Sequence, residues 1–486
     1  MRPEENILGA LGNPSRGAEV QSTFPTGVLP MLAVFIVAML ALILLGGTVA
    51  RLGIPLLCTG TAYVLYRKAP VAYVSFVWWL WFLICFVRRL VDYRSGFAES
   101  NPVLAAPFLA ALVCAPVLFE RREIWKRRSS WPFVLAFSSV LYGLAVGLLD
   151  IPKKLLLTSA LGWLAPLVFG FYIYTELATS ERREAQISCL QKTFIWGTLI
   201  MGCYGILQFV IPPPWDIQWM LATQTAWPGL GSIGTPEPFG LRVFSTMNGP
   251  GAFALTMVPG LVLVINRKGW FSVLAGIAGC GAVLLSSVRT AWIAVCFAVL
   301  LLAIRNRKYM TRLILGSAVL GICLISAMAL EPVRDTLQSR FQSFTDIGDD
   351  TSFQDRMSGS EQMVAYVIEE PLGMGLGTMD ANFLGKTPLG PRDSGLWEIL
   401  LSLGWFGGLV YLGALALLVW NSCRSGVRRS TTEMVAGCIT AALISQLLLG
   451  SVMTGVAGCT IWVFAAIAMA PLDDTYGILH EGQHGK

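Results

Sequence analysis

The stretch Glu331 to Ser394, EPVRDTLQSRFQSFTDIGDDTSFQDRMSGSEQMVAYVIEEPLGMGLGTMDANFLGKTPLGPRDS, is the only long polar run in an otherwise apolar chain. It lies between two apolar segments, 312–330 and 396–420, each about as long as the ~20 residues a spanning helix needs. Within it, Asp355-Arg356 opens a helix-like segment over 357–369, the run Pro371-Leu372-Gly373-Met374-Gly375-Leu376-Gly377 breaks that helix, and Arg392-Asp393 closes the loop. A polar loop held between two spans predicts a helical membrane protein with its chemistry on one face.

Composition agrees. The 486 residues are 55% hydrophobic and 13% charged, against ~25% charged in soluble domains, and mean hydropathy is +0.65. The expected fold is all-α, a polytopic membrane bundle of about 12–14 spans with a long external loop containing short helices. The apolar runs are 28–49, 52–66, 70–87, 102–119, 131–149, 155–177, 190–211, 248–265, 270–286, 288–304, 312–330, 396–420, 434–450 and 453–470. The 35 residues from 270 to 304 exceed one span, so they must fold back near Ser286-Ser287-Val288-Arg289.

The net charge of +6 calls for no nucleic acid, because basic loops on the cytoplasmic side account for it. Most of the eleven Cys are scattered singly in apolar runs, and the only His residues, His480 and His484, stand in the tail. Neither a disulfide framework nor a His-ligated metal site is therefore expected. The polar first 27 residues lack the short apolar core of a removable signal.

Short loops bearing Arg67-Lys68, Arg121-Arg122, Lys126-Arg127-Arg128, Arg182-Arg183, Arg267-Lys268, Arg305 to Arg312 and Arg424 to Arg429 set the orientation. The expected order is a cytoplasmic segment 1–27, membrane helices 28–211, an external loop 212–247, membrane helices 248–330, the external catalytic loop 331–394, membrane helices 395–470 and a cytoplasmic tail 471–486.

With that orientation three arginines from separate segments reach the outer face: Arg242, Arg289 and Arg356. Arg289 interrupts an apolar run, where a charge costs about 2.5–3.5 kcal/mol or more; otherwise it would cap a hairpin and reach for headgroups. Arg242 precedes Ser245, Thr246 and Asn248, which can cap the next helix. Arg356 could equally pair with Asp355, Asp349 or Asp350. Planar guanidinium groups donate paired hydrogen bonds and stay charged, which suits a diphosphate. Gly373, Gly375 and Gly377 permit a close backbone approach or an ordinary turn.

Four blocks in order resemble the O-antigen ligase and polymerase superfamily of bacterial envelope glycan assembly. They are Arg242 to Gly251, the Ser286 to Trp292 hairpin with its Arg-x-Ala-Trp, Asp355 to Gly377 with its Pro-Leu-x-Gly-x-Gly, and Asp393 to Gly407 with its Leu-x-x-x-Gly-x-x-Gly. The resemblance implies an inverting glycosyltransfer, independent of metal or other cofactor, from an undecaprenyl-diphosphate-linked oligosaccharide at the outer face of the inner membrane. A chain-length regulator or other assembly protein is an implied partner. Arg242, Arg289 and Arg356 would be the essential arginines, and Glu237, Asn248, Arg392 and the three glycines would bind substrate. The ligase branch carries His-Asn where this chain reads Asp393-Ser394, which points toward a polymerase of exopolysaccharide, capsule or O-antigen, with a ligase as the alternative. An Asp among arginines would be ionised and could take the acceptor proton, so Asp393 is the expected base, with Glu237 in reserve and a helix N-cap as the structural alternative. A polysaccharide or lipid transporter is the competing class, but no internal repeat stands out.

Overall fold

The computed structural model describes residues 27–179, 182–227, 233–267, 269–312, 363–379, 394–424 and 430–470, with residues 314 and 321 singly. Among these the chain is 82% helical, and its one strand-like feature is an antiparallel bridge between Gly234 and Leu241. The helices are α1 (Val28–Leu45), α2 (Gly47–Lys68), α3 (Pro70–Ser95), α4 (Ala106–Leu112), α5 (Val117–Glu120), α6 (Arg122–Trp125), α7 (Trp131–Asp150), α8 (Lys153–Thr179) and α9 (Arg183–Val210). They continue with α10 (Pro214–Ala226), α11 (Pro250–Asn266), α12 (Trp270–Leu285), α13 (Arg289–Arg305), α14 (Gly395–Cys423), α15 (Thr431–Ile444) and α16 (Gly455–Met469). Nine helical stretches among the described residues are long and apolar enough to cross a membrane, with α11, α12 and α16 as shorter apolar helices.

Burial sorts these helices by depth in the bundle. In α1 only Val28 and Met39 are buried, so nearly its whole surface is left to lipid. In α16 every residue from Gly458 to Met469 is buried. That explains its length: fifteen residues rise about 22 Å, less than a bilayer, but a helix surrounded by α8, α11, α14 and α15 meets protein on all sides. Trp462 of α16 packs on Phe133 of α7 with ring centroids 5.0 Å apart.

Three element boundaries differ from those read in the sequence. The first hairpin turns at Gly46-Gly47, both at positive φ, and not near residue 50. α3 runs on to Ser95, eight residues past the apolar run, because the charges at its end are paired inside the protein. The segment after residue 211 contains the helix α10.

Successive helices reverse direction, so one end of the bundle collects the last turn of α3, the α7–α8, α9–α11 and α12–α13 connections and the first turns of α14 and α16. The basic loops meet at the other end. There Arg312 donates to the carbonyls of Ile265 and Asn266 at 3.0 and 3.2 Å, Arg305 donates to that of Cys423, and Arg183 pairs with Glu433 at 2.7 Å.

Candidate functional site

The fold-back within residues 270–304 is a tight turn. α12 stops at Leu285, Ser287 adopts φ +57°, and α13 starts at Arg289. A non-glycine residue in that region costs on the order of 1–3 kcal/mol and persists only where its surroundings fix it. Here the Ser286 hydroxyl donates to the Val283 carbonyl at 2.6 Å and the Trp292 indole N–H donates to the same oxygen at 3.2 Å, tying the first turn of α13 back onto α12.

Arg242 closes on this turn from a different part of the chain. Its Nε donates to the Ser286 carbonyl and its Nη2 to the Ser287 carbonyl, both at 3.2 Å. The backbone runs alongside, with Val243 N donating to Leu285 O at 3.3 Å. The structure thus brings Arg242 onto the turn that presents Arg289, and both residues are half-buried. α13 starts at this turn after Val288 without a side-chain cap, and an uncapped first turn favours an anion.

The segment preceding α11 corrects one expectation: Ser245, Thr246 and Asn248 do not cap that helix. The Ser245 hydroxyl donates to the Met201 carbonyl at 2.6 Å and the Thr246 hydroxyl to the Phe82 carbonyl at 2.5 Å. The Asn248 Oδ1 is buried without a hydrogen-bond partner. Those bonds pull residues 243–247 down between α3 and α9, and a charged residue that sequence reading passed over completes the anchorage. Arg89, fully buried, donates to the carbonyls of Met247 at 2.9 Å and Ser245 at 2.5 Å. Its Nε lies 3.1 Å from Oδ1 of the equally buried Asp216 in α10, as a contact of charges and not an aligned hydrogen bond.

Asp216 in turn accepts from the Tyr204 hydroxyl at 2.8 Å and the Gln208 amide at 2.7 Å. The Gln208 Oε1 receives the backbone N–H of Phe244 and of Ser245 at 3.2 and 2.9 Å. Phe244 lies 4.9 Å from the Arg89 guanidinium carbon. The signal available in the sequence was a pair of opposite charges, Arg89 and Asp216, each beside an apolar run, since intramembrane charges seek partners.

Other candidates sit elsewhere. Glu237 is exposed at the tip of the short hairpin closed by Arg242 N donating to Ile233 O at 2.9 Å and Thr235 N to Gly240 O at 3.1 Å, whereas Arg242 stands at its base. Arg356, Arg392 and Asp393 lie outside the described residues. Ser394 occupies the N-cap of α14 without a side-chain bond.

Gly373, Gly375 and Gly377 belong to a segment wedged into the bundle. α14 breaks at Gly404, with φ +65° and ψ −172°. The break frees the Leu401 carbonyl and the Trp405 N–H, which a continuous helix would join. The wedge takes both: Met374 N donates to Leu401 O at 2.7 Å, and Trp405 N donates to Pro371 O at 2.9 Å. A Cβ on Gly373 would lie 2.3 Å from the Gly404 nitrogen, and one on Gly375 would lie 2.3 Å from the Gly147 Cα. The close approach that these two glycines serve is to helix backbone. Gly377 lines a cavity that lies between α8, α14 and α16.

The family model described as O-Antigen ligase matches residues 273–412, from α12 through the Arg289 turn and the wedge into α14. No curated protein and no solved structure matches the chain. The match supports the O-antigen ligase and polymerase superfamily, and with it a multi-pass inner-membrane protein with a glycan ligase or polymerase type of activity on lipid-linked glycans.

Proposed function

We propose, starting from that family match, that this chain polymerises undecaprenyl-diphosphate-linked oligosaccharide repeats at the outer face of the inner membrane, with both termini cytoplasmic. The observation that carries the reading is Arg242 seated on the Ser286-Ser287 carbonyls, on the turn from which α13 starts uncapped at Arg289.

In the reaction, an acceptor sugar hydroxyl attacks the anomeric carbon of the donor. A new C–O glycosidic bond forms, the bond from that carbon to the diphosphate oxygen breaks, and the diphosphate leaves with the bonding pair. The hydroxyl proton passes to a carboxylate, for which Asp393 is the candidate and Glu237 the reserve. Arg242 and Arg289, joined by Arg356 from the external loop, stabilise the charge developing on the leaving group, the kind of aimed electrostatic help that lowers such barriers most. Asn248 and Arg392 would contact substrate, and a chain-length regulator is a candidate partner.

Transfer of a lipid-linked glycan to another acceptor is the second reading, favoured by the description of the matching family. Asp393-Ser394 at the place of the ligase branch's His-Asn favours polymerisation. Purified protein in lipid bilayers, supplied with lipid-linked repeat, should yield a ladder of longer glycans, and Arg289→Ala should abolish the ladder while inserting normally. Product of unchanged length from the unaltered protein, or a full ladder from Arg289→Ala, would overturn the proposal. In cells lacking the protein, single-repeat lipid-linked glycan should build up; long lipid-linked chains would point to the ligase.

A further inference from the structure

The cavity beside Gly377 has a mixed lining, with hydroxyls and a carboxylate set among Phe108, Trp163 and Met379. It measures about 240 Å³ and is lined by Thr158, Ser159, Trp163, Glu398, Ser402 and Thr454, among others. That is below the ~300–1,000 Å³ of pockets for drug-sized ligands and suits one sugar ring. Four hydroxyls and a carboxylate stand beside apolar and aromatic side chains, a donor and acceptor set with an apolar wall that matches the two-sided surface of a sugar ring. Trp163 supplies an aromatic wall, held by Tyr411 with ring centroids 5.3 Å apart and edge-on. Glu398 is half-buried and accepts from the Ser451 hydroxyl. Among the described residues no cation pairs with it, and its side chain is part of the cavity lining.

Position connects this space with the arginine turn. The lining residues of α8, α14 and α16 lie in the first three turns of helices that begin at the same end of the bundle as α13. The 3-10 turn Ser445–Leu448 packs against α13 and α14. The chain just after it binds α14 on its other side, with Gly395 N donating to Gly450 O at 3.1 Å and Ser451 bonded to Glu398.

We infer that this cavity is the acceptor-sugar subsite, and that Glu398 holds the acceptor's hydroxyls there. The inference rests on the glycosyltransfer reading above and adds to it the place where the second substrate sits. The donor diphosphate at the arginine turn and the acceptor ring at Glu398 are then two separate contacts, removable one at a time.

The test uses the full chain in lipid bilayers, lipid-linked repeat as donor, and as acceptor the repeat oligosaccharide released from that lipid by mild acid. Glu398→Gln keeps an oxygen for Ser451 and removes the charge; Thr158→Phe, at an exposed position, fills the cavity from its rim. Each should raise the acceptor KM about tenfold or more, Glu398→Gln by the loss of a charged hydrogen bond and Thr158→Phe by occupying the space, and leave the donor KM within about twofold on the same scale. Acceptor KM unchanged in both variants, or donor KM rising equally, would overturn the subsite. Saturation-transfer NMR with the released oligosaccharide needs no turnover. Binding by the unaltered protein that both variants lose supports the subsite even if elongation fails, and absence of binding by the unaltered protein sinks it whatever happens to the arginine clamp.

Discussion

Arg89 shows why the residue scale was only half legible. Arg242 and Arg289 stood out because each is a charge beside or within an apolar run, whereas Arg89 was passed over just beyond the apolar run that ends at residue 87. The structure buries Arg89 completely against Asp216, a partner far along the chain whose own signal was a single acid after three prolines. Removing one member of a buried pair strands the other, at about 3–5 kcal/mol. Asp216→Asn should therefore lower the melting temperature in bilayers by several degrees and weaken elongation, because Arg89 and Gln208 together hold the backbone of Ser245. The double variant Arg89→Met, Asp216→Leu should melt higher than Asp216→Asn, since replacing both charges with apolar groups leaves nothing stranded. A Asp216→Asn protein that melts like the unaltered chain would show that the pair is not what anchors this segment.

At the scale of elements, the fold-back at Ser286 to Arg289 was forced by length alone, and the structure turns the chain there. The glycine run at 373–377 was legible as a break but not as a wedge. Its counterparts, Gly147 in α7 and Gly404 in α14, sit inside apolar spans where hydropathy gives no hint of a kink. Two consequences follow for substitution. Gly375→Ala puts a methyl group onto the Gly147 backbone at φ +86°, which should cost more than about 1–3 kcal/mol. Membrane yield and melting temperature should both fall. Gly413→Ala, in the same helix α14 but with open space around the added carbon, should change neither, and similar behaviour from the two variants would remove the wedge as a structural constraint.

For the whole molecule, the order of the long apolar helices among the described residues followed from hydropathy, because each span must satisfy its own backbone in lipid; the run 312–330 lies almost wholly outside the described residues. Which helices stand at the centre did not follow, since α1 and α16 are alike in composition and opposite in burial. Orientation is read from the basic loops and can be tested by fusing a periplasmic alkaline phosphatase. Fusion after Trp227 should be active and fusion after Arg307 inactive; the reverse pattern would put the arginine turn in the cytosol and end the proposed use of an externally presented donor. The bond exchange at Gly404 bears on how substrates come and go. Pulling residues 371–374 out would leave a carbonyl and an N–H bare where water is scarce, at several kcal/mol each. That piece of chain behaves as a rivet through the wall and not as a flap over a doorway, so the proposed lipid-borne glycan has to travel around it.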